Sequence, residues 1–369
     1  MRTRWFSVIA AACGLGLLAG PAPATASVPS AATILQAGTA QGVTNGYPGV
    51  IGLVRDDGQA QYAHAGVGNR DNNTPADPQA KFRIGSNSKV FTAATILLLE
   101  ADGVLSLDDT VAKWLPNAVT TNGYDGSKIT IRQLLNHTSN IPNYTMNYDG
   151  YLPVGGWAPQ NLVNGGLKKR PPNAEPGTKW EYSNTNYILA GMIIQAATGN
   201  TPAVEMKNRI FDPLGLSNTS LPTGVNMTGN HLRGYFYVGP VITNFTAMNV
   251  EAIWTAGAVI STLDDMATFT RALVGGTLLP PEQQAELKTT VPASSSTATY
   301  GLGLFKVQLS CGKVAWYHDG MVPGYVSFQA TSDDGAQQVM SAANEAHLAS
   351  GTNGQKNLQA AVLNAFCAV

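Results

Sequence analysis

A serine that stands three residues before a lysine, at the start of a strongly apolar segment, is the feature that most constrains this chain. Ser86 and Lys89 follow a short apolar run and open a segment that we predict to be a buried helix ending near Asp102-Gly103. Positions i and i+3 share one face of a helix, so we expect Ser86 Oγ and Lys89 Nζ to meet. A serine hydroxyl becomes a useful nucleophile when a base takes its proton, and a buried lysine with a lowered pKa can be that base. The same spacing also arises by chance, so the interpretation depends on the rest of the chain.

Composition limits the class of protein. The chain has 369 residues, of which 44% are hydrophobic, and a formal net charge of -1. This length suits one large domain or two smaller ones with a sizeable core. The balanced charge, without a basic cluster, argues against nucleic acid or an anionic membrane surface as the main partner. The sequence has no HExxH motif and no clustered cysteine and histidine ligands, so we predict neither a metal site nor a cofactor.

The N-terminus predicts export. Arg2 and Arg4 precede an apolar stretch, and Ala24-Thr25-Ala26 offers a cleavage site, so residues 1–26 are interpreted as a secretory signal peptide and the mature protein as secreted. A lipid anchor at Cys13 is the alternative. No later stretch is apolar for long enough to predict a permanent membrane span.

Two cysteines, Cys311 and Cys367, remain after removal of the signal peptide. An even number of cysteines in an exported chain favours one disulfide bond, which would tie the C-terminal segment to a region near residue 311. Two free buried thiols are the alternative.

Hydrophobic periodicity predicts a mixed α/β (α+β) fold. We expect an antiparallel sheet of about five strands, built from both ends of the chain and flanked by helices, with a mostly helical region inserted between them. The predicted domains are a sheet domain of residues 27–103 and 255–369 and a helical domain of residues 104–254. Residues 143–172, rich in Gly, Pro, Asn and Tyr, are predicted to be a loop. The predicted strands are 49–55, 61–67, 82–84, 300–309, 313–317, 324–331 and 337–343, and the main helices are 31–40, 86–102, 129–135, 186–198, 203–210, 261–274, 282–287 and 357–367.

Two further motifs offer groups suited to acyl transfer. Tyr182-Ser183-Asn184 lies on a predicted loop entering a helix, and a phenol can move a proton while an amide can hold a carbonyl group. His318-Asp319-Gly320 lies between two predicted strands, where a glycine allows close approach of another backbone. Taken alone, each motif is more often structural than catalytic.

Together, S-x-x-K, Y-x-N and H-x-G resemble the three-part active site of penicillin-recognising serine enzymes. The chain resembles the serine β-lactamase-like family of D-alanyl-D-alanine carboxypeptidases, class C β-lactamases and related esterases, and within it the secreted soluble carboxypeptidases of actinomycetes. The resemblance covers the predicted mature chain and includes a counterpart of the disulfide bond. The stretches that support it are 134–139, 176–186, 256–261, 300–304, 309–312 and 366–367.

The resemblance implies a role for each of these residues. Ser86 would be acylated, Lys89 would accept its proton, and Tyr182 would relay the proton to the leaving amine and later help to activate water. Asn184 would hold the acyl side chain, and the backbone N–H groups of Ser86 and Met321 would form the oxyanion hole. His318 would stand behind the tyrosine and the serine, and Gly320 would leave room for substrate. His137, in the stretch 134–139, is interpreted as structural.

One part of the pattern departs from that of the carboxypeptidases. They have small hydroxyl residues beside and after the histidine, and an arginine on the preceding strand, which grip the carboxylate of the peptide. This chain has Asp319, Met321 and Phe305 there, and Asp319 and Met321 share a strand face while Lys306 would point to the opposite one. Asp319 would therefore repel the carboxylate of such a peptide. Two like charges about 4 Å apart repel by roughly 1 kcal/mol in water and about 4 kcal/mol at an effective dielectric constant near 20.

Three functions therefore remain open at the level of sequence. The default is a D-alanyl-D-alanine carboxypeptidase-like serine hydrolase that acts through a Ser86 acyl-enzyme. The alternative is a D-aminopeptidase, D-amino-acid amidase or esterase of the same family, in which Asp319 would attract an amine. The third is a penicillin-binding sensor that is acylated without turnover. The expected partners are a small peptide, amide or ester substrate, with β-lactams as candidate inhibitors.

Overall fold

The computed structural model describes residues 29–144, 148–153, 156–238, 241–293, 295–346 and 353–369. The predicted signal peptide and Cys13 lie outside these ranges. Within them, none of the helices combines the length and the apolar character needed to cross a lipid bilayer.

A large antiparallel sheet forms the framework of the described residues, as predicted. Nine strands follow one another in the order β3-β2-β1-β13-β12-β11-β10-β9-β8. The five longest, β2, β1, β13, β12 and β11, are adjacent and make up its centre. The strands are β1 (Gly49–Asp56), β2 (Gln59–Asn69), β3 (Thr74–Pro75), β4 (Phe82–Arg83), β5 (Tyr235–Val238), β6 (Val241–Asn244), β7 (Ile260–Ser261), β8 (Val291–Pro292), β9 (Ala298–Tyr300), β10 (Phe305–Gln308), β11 (Val314–Val322), β12 (Tyr325–Thr331) and β13 (Gln337–Ala343).

The two ends of the chain meet in the middle of this sheet. Strand β1 pairs with β13 from Val50 opposite Ala343 to Asp56 opposite Gln337. The N-terminal hairpin and the C-terminal strands therefore form one continuous layer, which confirms a sheet built from both termini.

Helices cover both faces of the sheet. Helices α1 and α11 pack on one face, and α9 packs on the other. One apolar cluster runs from that second face through α2 into the helical region, so the sheet and the helical residues share a core. The domain boundaries stay a prediction. The helices are α1 (Ala31–Thr44), α2 (Ser88–Ala101), α3 (Val111–Trp114), α4 (Ile131–Leu135), α5 (Pro159–Leu167), α6 (Asn184–Thr198), α7 (Pro202–Met206), α8 (Trp254–Gly257), α9 (Leu263–Val274), α10 (Pro281–Lys288) and α11 (Asn353–Cys367).

The prediction of an unbroken loop over residues 143–172 was wrong, because α5 lies within it. Its glycines suggested a loop, yet one of them is required by packing between helices. A Cβ atom on Gly166 would lie 2.6 Å from Thr185 Oγ1 on α6 and 2.9 Å from the Pro142 carbonyl oxygen. Pro159 occupies the first turn of α5, where its missing N–H group costs nothing.

The prediction of one strand over residues 300–309 was also wrong. The chain turns between β9 and β10, where Gly301 N–H donates to the Leu304 carbonyl oxygen (2.8 Å) and Gly303 has a φ of 88°. An apolar run that includes two glycines looked like a continuous strand, although glycine is the residue that allows such a turn.

The predicted disulfide bond joins Cys311, in the turn between β10 and β11, to Cys367 at the end of α11, with a Cα–Cα distance of 6.0 Å. It closes a segment with a sequence separation of 56 residues. We expect the paired Cys311→Ser and Cys367→Ser variant to lose about 2–4 kcal/mol of unfolding free energy, because the unfolded chain regains the entropy of that loop. Urea denaturation of both proteins measures this difference. Equal midpoints and slopes would contradict it.

Candidate active site

Ser86 lies on a tight 3₁₀ turn, Gly85–Asn87, and α2 begins only at Ser88. The prediction placed Ser86 within the helix itself, and the turn corrects that detail. Ser88 Oγ donates to the Gly85 carbonyl oxygen (2.7 Å) and accepts from Val259 N–H (3.0 Å). These bonds fix the turn at the entrance of the helix, with the Ser86 side chain partly exposed.

Lys89 lies one turn further on and faces Ser86. Its Nζ is 3.1 Å from Ser86 Oγ and donates to the Ala256 carbonyl oxygen at 2.7 Å. Lys89 is fully buried, and burial holds its pKa well below the ordinary value, although the Asp319 carboxylate opposes that shift. This shift favours the neutral amine, which can accept a proton from the hydroxyl group.

Tyr182 completes this group at the entrance to α6. The centre of its ring is 4.9 Å from Lys89 Nζ. Burial raises the pKa of the phenol, so it remains protonated, although the Ser86 side chain is close enough to lower that pKa. Asn184 is the first residue of α6, and its backbone N–H donates to Asn143 Oδ1 (3.2 Å) while its side chain is partly exposed. The structure thus brings Ser86, Lys89 and Tyr182 together, with Asn184 close by in the chain.

His318 lies on β11 in a defined neutral tautomer. Its Nδ1 is 2.6 Å from the Asp319 carbonyl oxygen, which can only accept, so Nδ1 carries the proton. Its Nε2 then accepts from the Tyr300 hydroxyl group at 3.3 Å. Burial, followed by the charge of Lys89, lowers the pKa of His318 to about 3. The imidazole is therefore neutral, and its two hydrogen bonds fix its orientation near Lys89 and Tyr182.

The backbone of β11 comes into direct contact with the Ser86 turn. A Cβ atom on Gly320 would lie 1.9 Å from the Ile84 carbonyl oxygen, and one on Gly85 would lie 2.6 Å from the Met321 backbone nitrogen. Gly85 also has a φ of 56°, in the left-handed region. Both glycines are thus required for the approach that sets the Met321 N–H group beside Ser86. This is the placement that the predicted oxyanion hole needs.

Asp319 and Phe305 decide the chemical character of the surroundings of the catalytic group. Asp319 is partly exposed, and burial raises the pKa of its carboxyl group while Lys89 lowers it. The ring centre of Phe305 lies 5.6 Å from that of His318 and 4.6 Å from that of Tyr300. Besides the larger effect of burial, the charge of Asp319 raises the pKa values of four side chains, those of Lys89, Tyr182, Tyr300 and Tyr317.

The described residues form no carboxylate clamp around these groups. Lys306 lies over the Trp316 ring, with Nζ 5.6 Å from its centre, and so points away from the Phe305 side as predicted. Among the described residues, the cation whose charge acts on Asp319 is Lys89. Within the ranges that the structure describes, a carboxylate and an aromatic ring therefore lie here, and no paired arginine.

Sequence reasoning missed three members of this site. The Ala256 carbonyl group that binds Lys89 gives no side-chain signal, so no residue pattern could have identified it. Tyr300 opens a Tyr-Gly-Leu-Gly stretch, which supports the family resemblance but indicates no role for the tyrosine side chain. Trp180 precedes the Tyr182 motif by two residues, and its ring lies 6.0 Å from that of Phe305. In the part of the chain that the structure covers, no cluster of three or more His, Cys, Asp or Glu residues could hold a metal ion.

Comparison with known proteins supports this arrangement. A family model described as Beta-lactamase matches residues 32–356. Penicillin-binding protein 4* of Bacillus subtilis (strain 168) is 30% identical over 294 residues, which cover 74% of this chain and 63% of the relative. The chain thus spans less than two thirds of that relative's length.

Two solved structures are similar over nearly their whole length. A D-stereospecific amidohydrolase from Streptomyces sp. is 34% identical with a TM-score of 0.80, covering 90% of this chain and 98% of that one. A D-amino acid amidase from Ochrobactrum anthropi SV3, complexed with L-phenylalanine amide, is 26% identical with a TM-score of 0.82, covering 92% of this chain and 98% of that one. With the mixed sheet-and-helix fold and the Ser86–Lys89–Tyr182 group already described, these matches show that the chain belongs to the beta-lactamase family of serine hydrolases.

Proposed function

We propose that this protein is an acyl-serine amidohydrolase that acts on D-aminoacyl amides and on the N-terminal D-residue of small peptides. The observation that supports the choice of substrate is the partly exposed Asp319 carboxylate, whose charge acts on the pKa values of Lys89 and Tyr182, near the place where a carboxypeptidase would need a site for an anion. The sequence alone favours a D-alanyl-D-alanine carboxypeptidase, and the proposal differs from that prediction in the substrate.

In the proposed reaction, Lys89 takes the proton of Ser86 as Oγ attacks the substrate carbonyl carbon. The N–H groups of Ser86 and Met321 donate to the resulting oxyanion, an interaction commonly worth about 3–4 kcal/mol for one donor. Tyr182 passes a proton to the leaving amine as the C–N bond breaks. Water, activated by the same groups, then attacks the acyl-enzyme and releases the acid. Every proton in this scheme moves between these side chains, the substrate and water, and no cofactor is part of the proposal.

The remaining site residues bind and orient the substrate. Asn184 holds the acyl group through its amide, Gly320 leaves the strand edge open, and neutral His318 supports Tyr182 and Ser86. Asp319 attracts the α-ammonium group of an unblocked substrate, and Met321 and Phe305 provide apolar surface. A free carboxylate about 4 Å from Asp319 would be repelled by roughly 1 to 4 kcal/mol, depending on how far water penetrates.

The comparisons support this choice in part. Two similar structures are described as a D-stereospecific amidohydrolase and a D-amino acid amidase. Similarity to a penicillin-binding protein keeps D-alanyl-D-alanine carboxypeptidase activity, and inhibition by β-lactams, as the second candidate. A sensor that is acylated without turnover is the third. The signal-peptide pattern at residues 1–26 adds secretion to the proposal.

The test compares a D-aminoacyl amide with two relatives that each change one feature, and with a carboxypeptidase substrate. These are D-phenylalanine amide, L-phenylalanine amide, N-acetyl-D-phenylalanine amide and acetyl-D-alanyl-D-alanine. We expect preferred turnover of D-phenylalanine amide. Asp319→Asn is expected to raise its KM by about tenfold, equivalent to about 1.4 kcal/mol, because the ammonium group loses its counter-charge. The same change should leave the KM of the N-acetyl compound within about twofold, since that compound has no ammonium group.

Asp57→Asn is the matched control, because Asp57 is exposed in the β1–β2 turn at a φ of 46° that asparagine tolerates. It should change no kinetic constant. Preferred turnover of acetyl-D-alanyl-D-alanine by the unmodified enzyme would instead assign the carboxypeptidase function and refute the role of Asp319.

A further inference from the structure

His137 lies at the centre of the aromatic cluster around the active site. It follows α4 in a turn with a φ of 63°, an uncommon conformation for residues other than glycine, and it is fully buried. Its ring centre is 4.5 Å from that of Tyr182 and 5.0 Å from that of Tyr300. A positive φ and a buried polar ring both cost stability, so their presence here calls for a specific reason.

Two hydrogen bonds connect His137 to the residues on either side of Tyr182. The Glu181 N–H group donates to the His137 carbonyl oxygen (2.9 Å), and the Ser183 N–H group donates to His137 Nδ1 (3.2 Å). In an extended segment, alternate N–H groups point the same way, and Ser183 has extended φ and ψ values of −147° and 119°. One residue therefore holds the backbone on both sides of the tyrosine.

The second bond requires a neutral imidazole. Because a backbone N–H group can only donate, Nδ1 must be an acceptor and the proton must lie on Nε2. Burial lowers the pKa of His137 well below its ordinary value, and any positive charge on Lys89 or His318 lowers it further. Asn186 Nδ2 also approaches Nδ1 at 3.3 Å, and Asn186 Oδ1 accepts from Ser139 Oγ (2.7 Å). The imidazole is thus fixed in the orientation that the bond to Ser183 needs.

We propose that His137 is a positioning residue for the proton relay, and that its carbonyl oxygen and Nδ1 hold the segment 181–183 so that the Tyr182 hydroxyl group stays at Ser86 Oγ. This inference rests on the proposed role of Tyr182 in protonating the leaving group. It replaces the interpretation of His137 as merely structural. A small shift of the phenol is expected to slow proton transfer strongly, because such steps depend on hydrogen-bond distance.

The test separates the hydrogen bond from the packing of the ring. His137→Phe keeps an aromatic ring but has no acceptor. His137→Asn has no ring, but its Oδ1 occupies the place of Nδ1, two bonds beyond Cβ, and asparagine tolerates a positive φ. If the ring of His137 only packs, His137→Phe should lose less activity than His137→Asn. If Nδ1 holds the Ser183 N–H group, as proposed, His137→Asn should lose less activity than His137→Phe.

The readout is the ratio of kcat/KM for D-phenylalanine amide to kcat/KM for D-phenylalanine p-nitrophenyl ester, because kcat/KM reports the acylation step for both substrates. Nitrophenolate leaves without protonation, so a misplaced Tyr182 slows the amide more than the ester. The ratio does not depend on how much of the protein is folded. Tyr182→Phe provides the reference value, because it removes the hydroxyl group itself.

We expect His137→Phe to lower the amide-to-ester ratio by at least about tenfold, in the direction of Tyr182→Phe, with KM within about threefold. His137→Asn should keep the ratio within about threefold of the unmodified enzyme. A normal ratio in His137→Phe beside a lowered ratio in Tyr182→Phe would refute the role of His137 alone. A normal ratio in Tyr182→Phe would refute the relay itself, and the inference with it.

Discussion

Lys89→Met is expected to lower kcat/KM by at least about 10³-fold while the protein stays folded. The neutral amine 3.1 Å from Ser86 Oγ is the group placed to accept the hydroxyl proton, and methionine removes it while filling a similar volume. The free energy of unfolding should change by less than about 2 kcal/mol. The variant no longer buries an amine, but it leaves the Ala256 carbonyl group without its donor.

Kinetics and urea denaturation of the same preparation measure both effects. Lys306→Met is the matched control, since Lys306 is exposed and lies over Trp316. It should retain full activity. A Lys89→Met enzyme within tenfold of the unmodified kcat/KM would assign the base to another group.

Ser86→Ala is expected to lower kcat by at least about 10⁴-fold and to abolish the burst of the first product. The neighbouring Ser88 offers no substitute, because its hydroxyl group is buried and bonded to the Gly85 carbonyl oxygen and the Val259 N–H group. Rapid mixing with D-phenylalanine p-nitrophenyl ester measures the burst. Exposed Ser217→Ala is the control and should keep a full burst. A burst of normal size in Ser86→Ala would contradict the assignment.

Much of the sheet was predictable because its strands carry strong local signals. The stretch 337–343 follows the Asp333-Asp334-Gly335 turn, and its predicted bounds match β13. The disulfide bond was predictable from the two cysteines that follow the predicted signal peptide. The strand depends on neighbouring residues and the disulfide bond on the number of cysteines, and the sequence alone provides both.

The elements that were missed depend on contacts between distant segments. Helix α5 forms although it is rich in glycine, because Gly166 allows it to approach Thr185 closely. Strands β5 and β6 lie in the region predicted to be mostly helical, as a separate hairpin with Tyr235 opposite Asn244. Neither contact can be identified from a local pattern.

The candidate site also has one part that the sequence predicts and one part that it does not. Motif spacing identified Ser86, Lys89 and Tyr182, and the structure brings them together. The motifs gave no sign of the Ala256 carbonyl group or of the two bonds from His137, because backbone groups are present in every residue. The sequence therefore identified the reacting side chains, whereas their support became visible only in three dimensions.

The central claim is that substrate is carried on Ser86 as an acyl-enzyme. The most direct measurement is acid quenching within the first turnover of D-phenylalanine p-nitrophenyl ester, followed by mass spectrometry of the intact protein and its peptides. The account predicts one D-phenylalanyl group per protein, on the peptide that contains Ser86, and none in Ser86→Ala. A phenylalanyl group on a different residue, or nitrophenolate release in a burst without any adduct, would contradict it.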